Sequence, residues 1–388
     1  MSTPGSGAII QLAAVGPQEC MLRGPCWSPF VIRYKRTTPF AAWTEQIDMQ
    51  YAPTTRTQIK IPKSGTLMTE MYLEITLPAV PGAPAGAKWT KCVGYTLLRR
   101  IRLLLNDQEI HNIERLWLDL YDILYTSASH EQGLDRMVGR TPLPMNVSHT
   151  LHIPLRFLSC RPGRTRAPLP LQAITRADLL LDIEWESPSV LSAHTPTDPG
   201  IQVKVLVDYI ELDAAETAEA LRGTTVMFES VVDSDARSFV VDSGGEIQDT
   251  PVFNVNLGTL RYPVKGLVWV AYPEDTNELF TYLERPLKSA YLMFNRQERH
   301  AAMSSAYYEL MHPYLYTFRS YAGPPGVYSF ALRMTDRANT GSADFAGLTQ
   351  ASIVATVSPG VPRFKFKVFA LYYNVLQISP SAARVMYV

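Results

Sequence analysis

Three carboxylates on one predicted strand are the first candidates for chemistry in this sequence of 388 residues. Asp182, Glu184 and Glu186 alternate with apolar residues, so a strand places them on one face with roughly 7 Å between neighbours. Paired carboxylates at such separations act as acid and base in glycosidases. A half-buried strand with its charged side in water has the same alternation, and we expect that simpler arrangement here.

Histidines and common catalytic motifs offer no better candidate. His149 and His152 lie three residues apart on a predicted strand, which sends their side chains to opposite faces and prevents a shared metal ion. The sequence contains no G-x-S-x-G, no P-loop and no H-E-x-x-H. We therefore predict a protein that is not an enzyme, with no catalytic residue, no cofactor and no metal site.

The pattern N-x-Q-E-x-H occurs twice, at residues 106–111 and 295–300. In both copies an apolar run ends at the asparagine, which is typical of a strand that enters a turn. The Gln, Glu and His of each copy resemble a catalytic set. Their equivalent positions in both halves favour a requirement of the turn itself, because one copy of a duplicated active site usually decays.

Two further matches follow in the same order along the chain. Residues 174–179 are echoed by residues 348–353, and residues 207–212 more loosely by residues 372–376. The separation between copies is 189 residues at the asparagines, 174 at the next match and roughly 165 at the last. Separations that shrink slowly while order is kept indicate a duplicated domain whose copies differ in loop length.

Alternating apolar residues between Pro- and Gly-rich breaks predict about eight antiparallel strands in each half. Apolar residues at i, i+3, i+4, i+7 and i+11 predict one long helix at residues 113–125. A run of helix formers at residues 214–222, closed by Gly223, predicts a short helical connector. The first apolar run, residues 9–15, is too short for a domain, and we expect an arm that packs against another surface.

These elements predict an all-β fold of two tandem eight-stranded jelly-roll β-sandwiches, a double jelly roll, with one inserted helix. Immunoglobulin-like sandwiches have seven to nine strands in about 100 residues, and each half of this chain is longer. The predicted divisions are an N-terminal arm at residues 1–25, a first jelly roll with the helical connector at residues 26–222, and a second jelly roll at residues 223–388.

Charge limits the binding partners that the sequence predicts. The 36 basic and 36 acidic residues cancel, which argues against a sequence-wide attraction to nucleic acid or anionic membrane. The three arginines at positions 99, 100 and 102 are therefore expected to be solvated or paired.

Targeting signals and cysteines bear on the compartment. No apolar stretch reaches the ~18 residues of a membrane span, and the first 30 residues lack a basic n-region before their short apolar run. We expect synthesis in the cytosol and free thiols, with a Cys20–Cys26 pair as the alternative; the remaining cysteines are Cys92 and Cys160.

Motifs in register along nearly the whole chain carry a family resemblance. A Q-L-x-A-x-G-x-Q segment at residues 11–18 precedes a strand with F, Y, R, T and F at residues 30–40. IPKSGTL, IPLRF, VDYIELD, GVYSFAL and YNVL follow in order, at residues 61–67, 153–157, 207–213, 326–332 and 373–376. Together these motifs resemble the major capsid proteins of nucleocytoplasmic large DNA viruses. The loops at residues 78–91 and 275–286 look short for that family, which favours a smaller relative with low outward towers.

The resemblance implies a double jelly roll and a homotrimer, a pseudo-hexameric capsomer that tiles an icosahedral virus shell. It implies contacts with neighbouring capsomers and with minor capsid and penton proteins, reached through the N-terminal arm on the inner side. It further implies no specific nucleic acid as a partner and is compatible with an inner membrane nearby. The expected location is the virion capsid, after synthesis in the host cytoplasm or a viral factory.

Two other functions fit a duplicated all-β chain. A minor or penton-associated capsid component is one, but a penton protein is expected to carry a single jelly roll. A carbohydrate-binding or carbohydrate-active double β-sandwich is the other, and it should line a concave face with exposed aromatic residues. Trp117 and Trp185 fall instead on faces that the pattern predicts to be buried.

Overall fold

A computed structural model describes residues 5–14, 39–158, 168–192, 194–196, 199–221, 224–233, 237–239, 252–274, 279–319, 321, 323–336, 338–379 and 382–386. The strand predicted at residues 30–34 and three of the cysteines, Cys20, Cys26 and Cys160, lie outside the described residues. Cys92 is a buried free thiol, as predicted. Among the described residues, no helix has the length and apolar character needed to cross a membrane.

The first sandwich consists of two four-stranded antiparallel sheets. Its strands are β1 (Phe40–Met49), β2 (Arg56–Lys60), β3 (Leu67–Leu77), β4 (Leu98–Leu105), β5 (Gln108–Glu114), β6 (His149–Pro154), β7 (Leu179–Trp185) and β8 (Gln202–Leu212). One sheet has the order β1-β8-β3-β6 and the other β2-β7-β4-β5. The chain crosses between the two sheets, and this strand order defines a jelly roll.

The second sandwich repeats this order with additional short strands. Its strands are β9 (Thr224–Asp233), β10 (Arg237–Phe239), β11 (Val252–Asn256), β12 (Pro263–Pro273), β13 (Leu287–Phe294), β14 (Gln297–Glu298), β15 (Met303–Ser304), β16 (Gly326–Ser329), β17 (Ala343–Asp344), β18 (Ala351–Val357), β19 (Phe364–Ser379) and β20 (Ala382–Val385). One sheet follows β10-β19-β12-β16, with β9 also paired to β19, and the other follows β11-β18-β13-β14. The predicted double jelly roll is confirmed.

Helices connect and cover the sheets. They are α1 (Ser6–Ala13), α2 (Val93–Thr96), α3 (Arg115–Tyr125), α4 (Ala128–Val138), α5 (Pro188–Leu191), α6 (Ala214–Ala220) and α7 (His312–Tyr316), which continues a π-helical turn at Tyr307–Met311. The predicted long helix begins two residues late, because Ile113 and Glu114 still pair with β4. The prediction of one inserted helix was incomplete, since α4 follows α3 directly. The sequence signals for the ends of α4 are a serine before the helix and Gly139 after it, at φ 68°.

The sheet of β9, β19 and β12 is buried on both faces. Leu267 and Trp269 of β12 pack inside the second sandwich, whereas Val268 and Val270 belong to a core shared with the first sandwich. A strand covered on both sides carries a continuous apolar run, and β12 has a buried one from Gly266 to Tyr272. The two sandwiches therefore share one apolar interface.

Strand register fixes which residues of the two sandwiches are equivalent. Tyr209 of β8 pairs with Met68, and Tyr372 of β19 pairs with Val264, each next to a bulge in the partner strand. These pairs make Tyr209 and Tyr372 equivalent, 163 residues apart. At the turns, Leu105 pairs with Leu179 and Phe294 with Ala351. In the structure, the two copies of the sequence match at residues 174–179 and 348–353 are therefore offset by 172 residues. This is two fewer than the 174 residues that the sequences alone indicate.

Candidate interaction surfaces

The asparagines of the two N-x-Q-E-x-H turns have the same backbone conformation and the same kind of hydrogen-bond anchor, although the residue after Asn295, Arg296, is also left-handed at φ 67°. Asn106 and Asn295 have φ of 52° and 50°, in the left-handed region that asparagine tolerates better than most residues. Asn106 Oδ1 accepts a hydrogen bond from the Asp178 N–H at 2.8 Å, and Asn295 Oδ1 accepts one from the Thr349 N–H at 2.9 Å. Each asparagine N–H also donates at 2.8 Å, to the carbonyl of Asp178 or of Gln350. The repeat is a structural turn, as interpreted from the sequence.

The three carboxylates of the β7 region form ion pairs with arginines. Arg102 Nε lies 3.7 Å from Asp182, Arg99 lies 3.4 Å from Glu184 and Arg115 lies 2.5 Å from Glu186. Asp182 also pairs with Arg56 of β2 and is fully buried. The expectation of a solvated face was wrong for Asp182, because arginines from the strands on both sides of β7 cover it. Pairing of Arg99 and Arg102 was predicted correctly.

The other residues singled out by sequence do not come together. His149 Nε2 lies 2.9 Å from the Pro144 carbonyl, whereas His152 Nε2 lies 3.3 Å from the Glu74 carboxylate. Within the described ranges, no three His, Cys, Asp or Glu side chains are grouped as a metal site. Trp117 and Trp185 are 4% and 1% exposed, as predicted. These two tryptophans therefore cannot form a glycan-binding face.

A directional interface joins the two sandwiches. Helix α3 follows β5 of the first sandwich and lies against the outer face of the second sandwich's β9-β19-β12 sheet. The Trp117 and Phe369 rings are 5.5 Å apart, and the Tyr125 hydroxyl donates to Glu229 Oε2 at 2.8 Å. The amphipathic pattern that predicts the helix thus supplies its contact residues. The surface that the helix packs on has no local sequence signal, and only the packing of the two sandwiches reveals it.

Buried charges pair across this interface. The Lys367 ammonium contacts the Glu114 carboxylate of the first sandwich and lies 2.8 Å from Asp233. Burial raises the pKa of Glu114, although the charge of Lys367 opposes the increase. Burial also acts to raise the pKa of Asp233, but Lys367 outweighs it and the pKa is lowered. Removing one member of such a buried set costs about 3–5 kcal/mol, so this cluster disfavours separation of the sandwiches.

A second polar network crosses the interface beside α3. Arg140 Nη1 donates to Asp119 Oδ1 at 2.5 Å, and the Tyr282 hydroxyl of the second sandwich donates to Asp119 Oδ2 at 2.8 Å. Arg156 Nη2 donates to Asp122 at 2.8 Å. Burial raises the pKa of Asp119 despite the opposing charge of Arg140. These hydrogen bonds orient α3 and leave little freedom between the sandwiches.

Large apolar side chains are exposed at several places among the described residues, and the helical segment between β15 and β16 carries the largest group. The helical segment between β15 and β16 exposes Leu310, Met311, Tyr314 and Leu315, at 38%, 52%, 74% and 51%. Phe40 at the start of β1 is 56% exposed. Contiguous exposed apolar groups mark interaction surfaces more often than single ones. These regions are therefore the candidate sites of this chain.

Two family descriptions match the chain in order. "Major capsid protein N-terminus" matches residues 28–219, and "Large eukaryotic DNA virus major capsid protein" matches residues 251–383. The major capsid protein of Pyramimonas orientalis virus is 27% identical and covers 96% of this chain and 97% of its own length. That of Phaeocystis pouchetii virus is 21% identical, over 96% and 98%.

Solved structures agree with the strand order. PBCV-1 VP54, fitted into a reconstruction of the virophage Sputnik, has a TM-score of 0.79 at 19% identity, covering 93% of this chain and 100% of that one. The Faustovirus major capsid protein has a TM-score of 0.70 at 10% identity, over 91% and 93%. The fold is thus that of the double jelly-roll capsid proteins.

The chain belongs to the major capsid protein family of large eukaryotic DNA viruses. Proteins of this family are structural components of the virion capsid and not enzymes, and trimeric assembly is typical of them. As a capsid protein, this chain associates with copies of itself in the virus shell.

Proposed function

We propose that three copies of this chain close into a pseudo-hexameric capsomer, and that these capsomers tile an icosahedral shell. The observation that carries the proposal is the directional interface between two sandwiches of the same strand order. A helix of one sandwich lies on a sheet of the next, so the contact is head-to-tail. Head-to-tail contacts that close generate rings, and three chains with two sandwiches each supply six similar corners.

We also propose that the functional units follow the predicted divisions at residues 1–25, 26–222 and 223–388. Helix α6 supports the second boundary, because it lies between β8 and β9 and is capped by Asp213, whose carboxylate accepts from the Glu216 N–H. No residue of α6 is buried, as expected of a connector between two packed units.

The N-terminal arm is proposed to contact minor capsid or penton proteins on the inner side of the shell. Helix α1 packs on β1 through the buried Ala8 and exposes Ile9 and Ile10 at 62% and 69%. A small aliphatic surface held against the first sandwich suits a neighbouring shell protein. No specific nucleic-acid contact is part of this proposal, in line with the balanced charge.

Light scattering of the purified chain tests the trimer. A mass of three times 43.4 kDa is expected, and a single 43.4 kDa species at all micromolar concentrations would contradict it. Deletion of residues 1–20 should leave the trimer mass and melting temperature nearly unchanged and impair shell assembly. Loss of the trimer in that variant would show that the arm belongs to the fold and not to the lattice.

A further inference from the structure

The outer faces of two equivalent sheets differ in what covers them. In the second sandwich, Glu229 of β9 and Phe369 of β19 are buried beneath α3. Tyr209 corresponds to Tyr372, so Leu206 of β8 occupies the place of Phe369. Through its pairing with β8, Ala42 of β1 occupies the place of Glu229. Ala42 is exposed and Leu206 half-buried, so the face equivalent to the covered one is open.

Helix α3, which covers this sheet, also has an exposed equivalent in the second sandwich. Helix α3 follows the fifth strand of the first sandwich, and the segment at residues 305–316 follows the corresponding strands of the second. Both helices end in a tyrosine followed by a threonine. The Thr126 N–H donates to the Asp122 carbonyl at 3.1 Å, and the Thr317 N–H donates to the Pro313 carbonyl at 3.0 Å. Tyr316 thus ends its helix in the same way as Tyr125 ends α3.

We propose that residues 310–316 of one copy dock on the β1-β8 face of the next copy. This inference rests on the ring-shaped trimer proposed above and names the surfaces that close it. Within the chain, Tyr125 lies on Glu229. Between copies, the corresponding contact places Tyr316 over Ala42, with Leu315 beside it and Phe40 at the end of the same face. An apolar contact replaces the internal hydrogen bond.

A second copy fits these surfaces better than an unrelated protein, because both open surfaces have covered counterparts inside the chain. Lys204 is equivalent to Lys367 and lies opposite Glu74 on its own sheet, where the second sandwich has Val270. The two faces thus differ in where their charges lie: the open face has Glu74 where the covered one has Val270, and Ala42 where the covered one has Glu229.

Substitutions on each surface test the contact. Leu315→Asp alters the helical surface, and Ala42→Arg alters the sheet face; both side chains are exposed, so folding should be preserved. Val252→Asp is the matched control, because Val252 is 64% exposed on the strand at the other edge of the sheet from β14. The residue equivalent to Val252 in the first sandwich is Arg56, and it pairs with Asp182 within its own sheet and not with another sandwich. Circular dichroism and melting curves check the fold of each variant.

Light scattering should then give folded monomers for Leu315→Asp and Ala42→Arg and trimers for wild type and Val252→Asp. In an equal mixture of the two monomeric variants, each supplies the surface that the other lacks, so a two-chain species is expected. If the wild type and both variants all form trimers, the proposed docking surface is wrong but the ring proposal stands. A mixture that stays monomeric at every concentration would overturn the head-to-tail pairing. A monomeric wild type would instead contradict the ring itself.

Discussion

Replacing the two turn asparagines by alanine and by glycine separates backbone strain from hydrogen bonding. Both residues hold a φ near 50°, where alanine is strained by about 1–2 kcal/mol and glycine is not. Asn106 Oδ1 accepts one hydrogen bond, from Asp178, worth about 1 kcal/mol. We therefore expect Asn106→Ala to cost about 2–3 kcal/mol and Asn106→Gly about 1 kcal/mol.

The second turn should be more sensitive. Asn295 Oδ1 accepts from the Thr349 N–H at 2.9 Å, the Thr349 hydroxyl at 2.7 Å and the Gln350 N–H at 3.1 Å. Three bonds to one oxygen do not add fully, so Asn295→Gly should cost about 2 kcal/mol and Asn295→Ala about 3–4 kcal/mol. The greater cost at Asn295 is a consequence of geometry, because the two sequence motifs share all four of their fixed residues.

Urea unfolding followed by circular dichroism measures these costs in all four variants. Alanine should be worse than glycine at both sites, and the second site worse than the first. Equal costs for alanine and glycine would show that the left-handed backbone does not constrain the residue type. Changes below about 0.5 kcal/mol throughout would refute the structural interpretation of the repeat.

Three further predictions concern buried residues. Leu105→Ala should cost about 2–5 kcal/mol, and Phe294→Ala should lie near the lower end because Phe294 is only half-buried; near-neutral values at both in urea unfolding would contradict a core role. Lys265→Met leaves Glu229 buried without its cation and should cost about 3–5 kcal/mol, partly recovered by adding Glu229→Gln in the same assay. Burial lowers the pKa of His312 to about 4, and the Ser329 N–H donates to its Nδ1. An unfolded histidine gains a proton near pH 6.5 that the folded one does not, so about 3 kcal/mol of stability should be lost as pH falls from 6.5 to 4. His312→Gln should flatten that loss in melting curves, and an unchanged pH dependence would refute the assignment.

The duplicated fold could be predicted because its signals are local. An asparagine that ends an apolar run marks a turn wherever it occurs, and its return at Asn295 exposes the second copy. The periodicity of α3 likewise identifies a helix without knowledge of its partner. Capping signals for α4 were present in Ser127 and Gly139, but the apolar residues of that helix are few and its burial depends on the neighbouring strands.

The interfaces could not be predicted, because they depend on long-range pairing. Asp182 becomes buried only when β2 and β4 flank β7 with arginines in register. The sequence did contain one unused signal. β12 has a continuous apolar run, typical of a strand covered on both faces, whereas its equivalent β3 alternates Leu73, Glu74, Ile75 and Thr76. That difference distinguishes the sheet of β12, which is covered within the chain, from the sheet of β3, which we propose is covered by a second copy.

Electron microscopy of the purified protein tests the central claim most directly. Three copies with two similar sandwiches each should appear as particles with threefold symmetry and a six-cornered outline. Each corner should fit one jelly roll, with residues 310–316 of one copy against β1 of the next. Isolated two-lobed monomers, or dimers related by a twofold axis, would contradict the head-to-tail ring.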